Sequence, residues 1–182
     1  MSDSVSIELL ADALATTGAI IAGVRPDQEH LTTPCEQFDV QQLVSHLVGW
    51  SLSFARRLSG QAWEADPNAY VAGADAAQQF TRASAQIVQA YRDELASSNE
   101  LPIGMLVMEF VTHGWDLAQA TGQQAPFTEE QANAGLAFGL PMLKPEYRGP
   151  GLAFGEIVPT SADDDSLTCL LAFLGRDPHW TS

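Results

Sequence analysis

The chain has 182 residues, 46% of them hydrophobic, which is enough to bury a core within one globular domain. Its formal charge of −15, from 23 acidic and 8 basic residues, argues against nucleic acid and anionic membranes as partners, because phosphates are bound by clustered Lys and Arg. The sequence opens without a signal-peptide pattern and has no apolar run of about 18 residues, so we expect a soluble, cytoplasmic protein.

Apolar residues spaced three and four apart predict two amphipathic helices at the start of the chain. The first runs from about Ser4 to Ala22. A polar connector over 28–38 separates it from the second helix, about Val40 to Leu58. Asp39 is a favourable N-cap for the second helix, and Gln42 completes a capping-box pattern three residues later.

Three further helices are predicted in the middle of the chain. A loop over 61–73, with a short turn near Trp63, leads into a helix from about Ala74 to Ala96. The next helix spans 104–122 and ends at Gly122, a typical residue for a helix C-terminus. A weaker helix opens at a capping box on Thr128 and continues to about Leu143.

The C-terminal part of the chain is rich in Pro and Gly. Residues 144–165 are predicted to be irregular, with 153–158 extended. A short final helix, 167–174, is expected to be capped by Asp164 or Asp165.

These elements predict an all-α fold. Four long amphipathic segments favour a four-helix bundle, and the C-terminal helical and irregular segment is expected to pack on its outside. We predict a single domain over 1–182, with the bundle core at about 4–122 and the extension at 123–182.

The sequence GMLVMEFVTHGWDLAQATG at 104–122 carries polar groups on an otherwise apolar helix. Glu109, His113 and Asp116 are spaced four and three apart, so their side chains lie within roughly 60° around the helix axis. A buried carboxylate and imidazole need partners, and His46, beside the apolar stripe of the second helix, supplies a third candidate. Helical bundles build metal sites from such facing side chains, so His46, Glu109 and His113 are the candidate metal ligands.

Two imidazoles and one carboxylate suit Zn²⁺ with an open fourth position, and Ni²⁺, Mn²⁺ or Fe²⁺ also fit. The alternative is a metal-free bundle in which Glu109 and His113 are hydrogen-bonded to each other. Asp116 either orients His113 or is an exposed acid, and we slightly favour the exposed acid.

Other reactive residues receive simpler interpretations. Cys35 lacks an activating neighbour in the sequence and is expected to be structural or a bystander, and the two cysteines of the chain, Cys35 and Cys169, provide neither a disulfide framework nor a Cys-based zinc cluster. His30 and His179 are expected to be exposed.

Three segments resemble a known family. They are TTPCEQFDVQQLVSHLVGW at 32–50, MEFVTHGWDLAQATG at 108–122 and LLAFLGRDPHW at 170–180. Together they resemble the DinB-like (YfiT-like) metal-binding four-helix bundles, within the branch of the mycothiol-dependent maleylpyruvate isomerase N-terminal domain.

The resemblance implies that His46, Glu109 and His113 bind a divalent metal, preferably zinc-like, and that bundle faces form a homodimer. The isomerase itself carries a further C-terminal domain that contributes to its active site, so we expect the metal site and a general thiol chemistry to carry over, and not maleylpyruvate isomerisation.

The predicted activity is therefore that of a metal-dependent S-transferase with mycothiol or another small thiol as co-substrate. A thiol at the open position loses its proton at neutral pH and attacks a small electrophilic substrate. The alternatives are a small metal-dependent hydrolase and a non-catalytic metal or small-molecule binding protein. The residues of catalysis, the native metal and the electrophile are left open by the sequence.

Overall fold

The computed structural model describes residues 6–62, 65–93, 101–152 and 154–181. The described residues form six α-helices, which account for most of the secondary structure. The helices are α1 (Ile7–Ala22), α2 (Val40–Leu58), α3 (Ala76–Arg92), α4 (Ile103–Thr121), α5 (Glu129–Met142) and α6 (Ser166–Phe173).

Helix ends are fixed by the capping residues that the sequence indicated. The Asp39 carboxylate accepts a hydrogen bond from the backbone N–H of Gln42, and the Thr128 hydroxyl caps α5 in the same way. Gly122 ends α4 with φ of 68°, a left-handed conformation that residues with a Cβ rarely adopt. The predicted capping boxes and the C-terminal glycine are confirmed.

The first four helices close a bundle in which each helix packs on two neighbours. Helix α1 contacts α3 and α4, and α2 contacts the same two helices from the opposite side. Hence α1 and α2 are diagonal to each other, and the core between the four helices consists of fully buried aliphatic and aromatic side chains. The largest include Leu10, Leu14, Leu43, Leu47, Phe80, Ile87, Leu106 and Phe110. The predicted all-α bundle is confirmed.

The C-terminal part packs on the α4 side of the bundle. Helix α5 contacts α4, and α6 contacts α5. After α6 the chain turns at Gly175, where φ is 81° and a Cβ would lie 2.5 Å from the Cα of Gly155. This close approach of two glycines directs the following residue, Arg176, back toward α4.

Several predicted boundaries differ slightly from the structure. Helix α3 begins two residues after the expected Ala74, and Ser6 caps α1. The predicted turn near Trp63 and the predicted end of the third helix lie outside the described residues. No helix in the described part of the chain is both long enough and apolar enough to span a membrane.

Candidate metal centre

The three predicted ligands lie together between α2 and α4. The distance from His46 Nε2 to Glu109 Oε1 is 2.8 Å, and that from His113 Nε2 to the same oxygen is 3.8 Å. The three potential ligand atoms lie within 4.8 Å of one another. The side chains approach because α2 and α4 are neighbours in the bundle and each carries its polar residue toward the shared seam.

These distances fit a bound divalent ion. In a tetrahedral zinc site with bonds of about 2.0–2.1 Å, neighbouring ligand atoms are about 3.4 Å apart. The separations of 2.8 and 3.8 Å bracket that value, and two nitrogen donors with one oxygen donor are a set that zinc accepts. The candidate site therefore fits the ion that the sequence predicted, while its metal occupancy stays a prediction.

Asp116 orients His113 and is not exposed. The carboxylate is fully buried, and its Oδ2 atom lies 3.0 Å from His113 Nδ1. Holding a proton on Nδ1 leaves Nε2, the nitrogen nearest Glu109, free to act as a ligand. The expectation that Asp116 is an exposed acid was wrong, because helix periodicity alone does not show that the C-terminal segment covers this side of α4.

Arg176 is the covering residue. Its Nη2 and Nε atoms donate to Asp116 Oδ2 at 3.2 and 3.4 Å, and only 5% of the residue is exposed. Burial lowers the pKa of this guanidinium, but Asp116, Cys35 and Glu109 together outweigh burial and raise the pKa. The ion pair thus supplies the buried Asp116 with a counter-charge and keeps it available to His113.

His46 is held mainly by aromatic rings. The Phe38 ring centroid lies 4.9 Å from the imidazole centroid, and the Trp50 centroid lies 6.3 Å away. Trp50 is itself fixed by a 3.1 Å hydrogen bond from its indole N–H to Asn68 Oδ1. The Nδ1 atom of His46 is buried and has no hydrogen-bond partner among the described residues.

Glu109 carries the charge of the centre. Burial raises the pKa of its carboxyl, but the charges of His113 and His46 and a hydrogen bond with His46 outweigh burial and lower the pKa to about 2. The carboxylate is therefore ionised at neutral pH. Binding of a divalent ion requires both imidazoles to be neutral, so the metal-bound centre with its one carboxylate would have a formal charge of about +1, because the Asp116–Arg176 pair is neutral.

A cavity of about 510 Å³ opens directly onto the three candidate ligands. Most of its wall is apolar. Prominent apolar wall residues are Phe38, Trp50, Phe54, Met105, Met108 and Leu174. A site between the candidate ligands is thus reached from a space large enough for a small organic molecule.

Cys35 lies beside this centre without joining the three ligands. Its sulfur is within 4.8 Å of ligand atoms of His113 and Asp116. Burial is the main cause that raises the pKa of the Cys35 thiol, and the Arg176 charge only partly opposes it. A raised pKa disfavours the thiolate, and the structural or bystander role of Cys35 stays a prediction.

A second cavity of about 380 Å³ adjoins the first. Cys35, Gln37 and Arg176 line both cavities. The second cavity is bordered by the exposed carboxylate of Glu36 and by the half-buried Trp180.

The remaining histidines lie away from the centre. His30 and His179 are exposed, as predicted. Sequence reasoning missed Arg176, although the motif that contains it was quoted for its family resemblance. The available signal was that a single Arg follows an apolar helix and a glycine at the end of a strongly acidic chain.

The fold and the site define an all-α bundle with a candidate metal-ligand cluster between two of its helices. The family described as the mycothiol maleylpyruvate isomerase N-terminal domain matches residues 10–101, a segment that contains His46 and ends before Glu109. The chain belongs to this family, which is part of the DinB-like superfamily, and membership indicates a mycothiol-related function.

Two curated relatives come from Mycobacterium tuberculosis. The uncharacterized protein MT0763 of strain CDC 1551 / Oshkosh and the uncharacterized protein Rv0738 of strain ATCC 25618 / H37Rv are each 33% identical over 170 residues. Each alignment covers 87% of this chain and 90% of the relative. No solved structure matches the chain significantly.

Proposed function

We propose that the protein is a metal-dependent S-transferase that joins a mycothiol-type thiol to a small electrophile. The observation that carries this proposal is the convergence of His46, Glu109 and His113 at the wall of a largely apolar cavity. Membership in a mycothiol-related family supports the thiol as one substrate.

When bound, the ion would lower the pKa of a nearby thiol and so make its thiolate available at neutral pH. The protein contributes the arrangement of the donors. Asp116 accepts a hydrogen bond from His113 Nδ1, and Arg176 supplies the buried Asp116 with a counter-charge. The apolar wall beside the ligands excludes water, which strengthens electrostatic interactions within the cavity.

The second cavity supports a place for the polar remainder of the thiol. It begins at Cys35 and Arg176, close to the candidate ligands, and its border includes Glu36 and Trp180. A carboxylate accepts hydrogen bonds from hydroxyl groups, and an indole ring packs against the apolar faces of a polar molecule. The thiol would then reach the metal from this side while the electrophile occupies the larger apolar cavity.

The hydrolase alternative receives less support. Among the described residues, Glu109 is the single carboxylate that lines the larger cavity, and it is committed as a ligand. Asp116 is engaged by Arg176 and His113. A water molecule at the centre would therefore lack a free general base.

The test is thioether formation from mycothiol and 1-chloro-2,4-dinitrobenzene by zinc-loaded protein. The sulfur–carbon bond forms as the carbon–chlorine bond breaks, chloride leaves and the thiol proton passes to solvent. We expect turnover that is lost in His46→Ala and retained in His179→Ala, which removes an exposed imidazole.

Stoichiometric thiol binding without turnover would overturn the transferase assignment in favour of a carrier. If fully zinc-loaded protein showed neither thiol binding nor turnover, both the transferase and the carrier assignments would be excluded.

A further inference from the structure

The larger cavity extends along α2 away from the candidate metal centre. His46, Trp50, Phe54 and Arg57 all line it, at steps of four, four and three residues on one face of the helix. The rise between the first and the last of these residues is about 16 Å. The cavity is therefore a channel parallel to the helix, with the metal ligands at one end and Arg57 at the other.

Helix α4 forms the opposite wall in antiparallel order. His113 and Glu109 face His46, and Met108 and Met105 lie further along. Hence the part of the channel between the two ends is lined mainly by aromatic and thioether groups, which favour an apolar ligand.

Arg57 is the only cation at the far end among the described lining residues. It is exposed, and its guanidinium makes no ion pair or hydrogen bond among the described residues. Two other arginines near the cavities are engaged: Arg176 binds Asp116, and Arg148 donates to backbone carbonyls. A guanidinium at the mouth of an apolar channel, with no side-chain partner in the described part of the chain, presents a planar set of donors to an incoming anion.

We propose that the electrophilic substrate is an elongated, mainly apolar molecule whose end distant from the reacting carbon carries an anionic group that pairs with Arg57. This inference rests on the proposed function and specifies the class of its second substrate. Because three turns of α2 separate the two ends, the anionic group lies on the order of 10 Å from the reacting carbon.

Because the whole protein is strongly acidic, a preference for anionic ligands depends on the local cation Arg57. With a formal charge of −15, the protein repels anions at long range, so an anionic ligand gains nothing from the general field. Any preference for an anionic over a neutral molecule of the same shape must come from a group at the site. Arg57 is placed to provide it.

Two fluorescent probes of matched shape test the proposal. 1-Anilinonaphthalene-8-sulfonate carries a sulfonate, and N-phenyl-1-naphthylamine has the same rings without it. Titrations on metal-free and on zinc-loaded protein give both dissociation constants, and mutual competition shows whether the probes share one cavity. We expect the sulfonate to bind about fivefold more tightly, as one partly exposed ion pair allows.

The matched variants are Arg57→Gln and Arg56→Gln. Both residues are exposed and lie in the last turn of α2, but Arg56 does not line the channel. Arg57→Gln should abolish the preference for the sulfonate while leaving binding of the neutral probe unchanged, and Arg56→Gln should leave both unchanged.

Equal affinity for the two probes in the unmodified protein would overturn the proposal. A preference for the sulfonate that survives Arg57→Gln would also overturn it. The same holds for a preference that is lost equally in Arg56→Gln, or one that arises only in zinc-loaded protein. Metal content and thioether formation are measured separately, so the failure of the Arg57 proposal is distinguishable from the failure of the proposed function.

Discussion

At the residue scale, Asp116 and Arg176 form a buried ion pair that contacts the candidate ligand His113 through Asp116. Removing one member of such a pair leaves the other charge buried without compensation, which costs about 3–5 kcal/mol. The pair therefore has two separable roles, support of His113 and attachment of the C-terminal segment to α4.

We predict that Asp116→Asn weakens zinc binding by about 10–100-fold, as the loss of a group that orients a ligand His usually does. The Asn amide is uncharged, so it holds the proton on His113 Nδ1 less strongly than the carboxylate does. Competition titration against a chelator measures the change. Asp177→Asn removes an exposed carboxylate next to Arg176 and is the control. Unchanged zinc affinity in Asp116→Asn would contradict the role given to Asp116.

Attachment of the C-terminal segment is tested by combining Asp116→Asn with Arg176→Met. Each single change should lower the free energy of unfolding by about 3–5 kcal/mol in urea titrations, and the double change should cost less than the sum. Additive losses would show that the two side chains do not depend on each other.

The clustering of the three candidate ligands was predictable at this scale, whereas the side chains that support them were not. Glu109 and His113 share a helix face at a spacing of four, and His46 lies on another amphipathic helix, so periodicity placed all three inward. Arg176 lies 60 residues from Asp116 in a segment without periodicity. No local sequence pattern shows where such a segment packs on the bundle.

At the element scale, packing around α4 is close enough that glycines are required at specific crossings. A Cβ on Gly114 would lie 2.6 Å from Phe127 Cζ and 2.9 Å from Thr17 Oγ1. By contrast, a Cβ on Gly18 in α1 would meet Phe80 at 3.4 Å, an ordinary contact.

These two glycines predict opposite outcomes for the same substitution. Gly114→Ala should destabilise the protein by about 1–3 kcal/mol because overpacking outweighs the better helix propensity of Ala. Gly18→Ala should stabilise it by up to about 1 kcal/mol. Thermal and urea unfolding of both variants provide the measurement. A stabilised Gly114→Ala variant would show that α1, α4 and the start of α5 are less closely packed than described.

The end of α3 carries a pH-dependent contact with the chain before α4. The Tyr91 hydroxyl donates a 2.6 Å hydrogen bond to the Leu101 carbonyl, and burial raises the pKa of Tyr91 to about 12. An unfolded phenol ionises near pH 10. The unfolded state is therefore increasingly favoured as the pH rises from about 10 to 12, and the stability from this group is lost over that interval.

We predict that the free energy of unfolding falls over this interval more steeply in the unmodified protein than in Tyr91→Phe. Tyr147→Phe removes an exposed hydroxyl and serves as the control. Parallel curves for the unmodified protein and Tyr91→Phe would refute the assignment of this pH dependence to Tyr91.

Helix boundaries were largely predictable because their signals are local. Asp39, Thr128 and Gly122 act through the neighbouring one or two turns, and all three end their helices as expected. The start of α3 was placed two residues too early, since Asp75 precedes the helix without a side-chain capping bond. A weak cap leaves a weak signal in the sequence.

At the scale of the whole molecule, the candidate centre depends on two helices that are distant in the sequence and adjacent in space. The bundle order places α2 beside α4, with α1 and α3 completing the ring. Amphipathic patterns predict a bundle but do not give the order of helices around it. The sequence therefore indicated the three candidate ligands but not the channel that leads from them to Arg57, because this channel exists only once α2 and α4 are paired.

The central claim is that His46, Glu109 and His113 hold one divalent ion. Elemental analysis of protein purified without an affinity tag tests it most directly, with His46→Ala and the exposed-site control His179→Ala prepared in parallel. We expect about one divalent ion per chain in the unmodified protein and in His179→Ala, and a large loss in His46→Ala. Equal metal content in all three, or no metal in the unmodified protein even after loading with zinc, would contradict it.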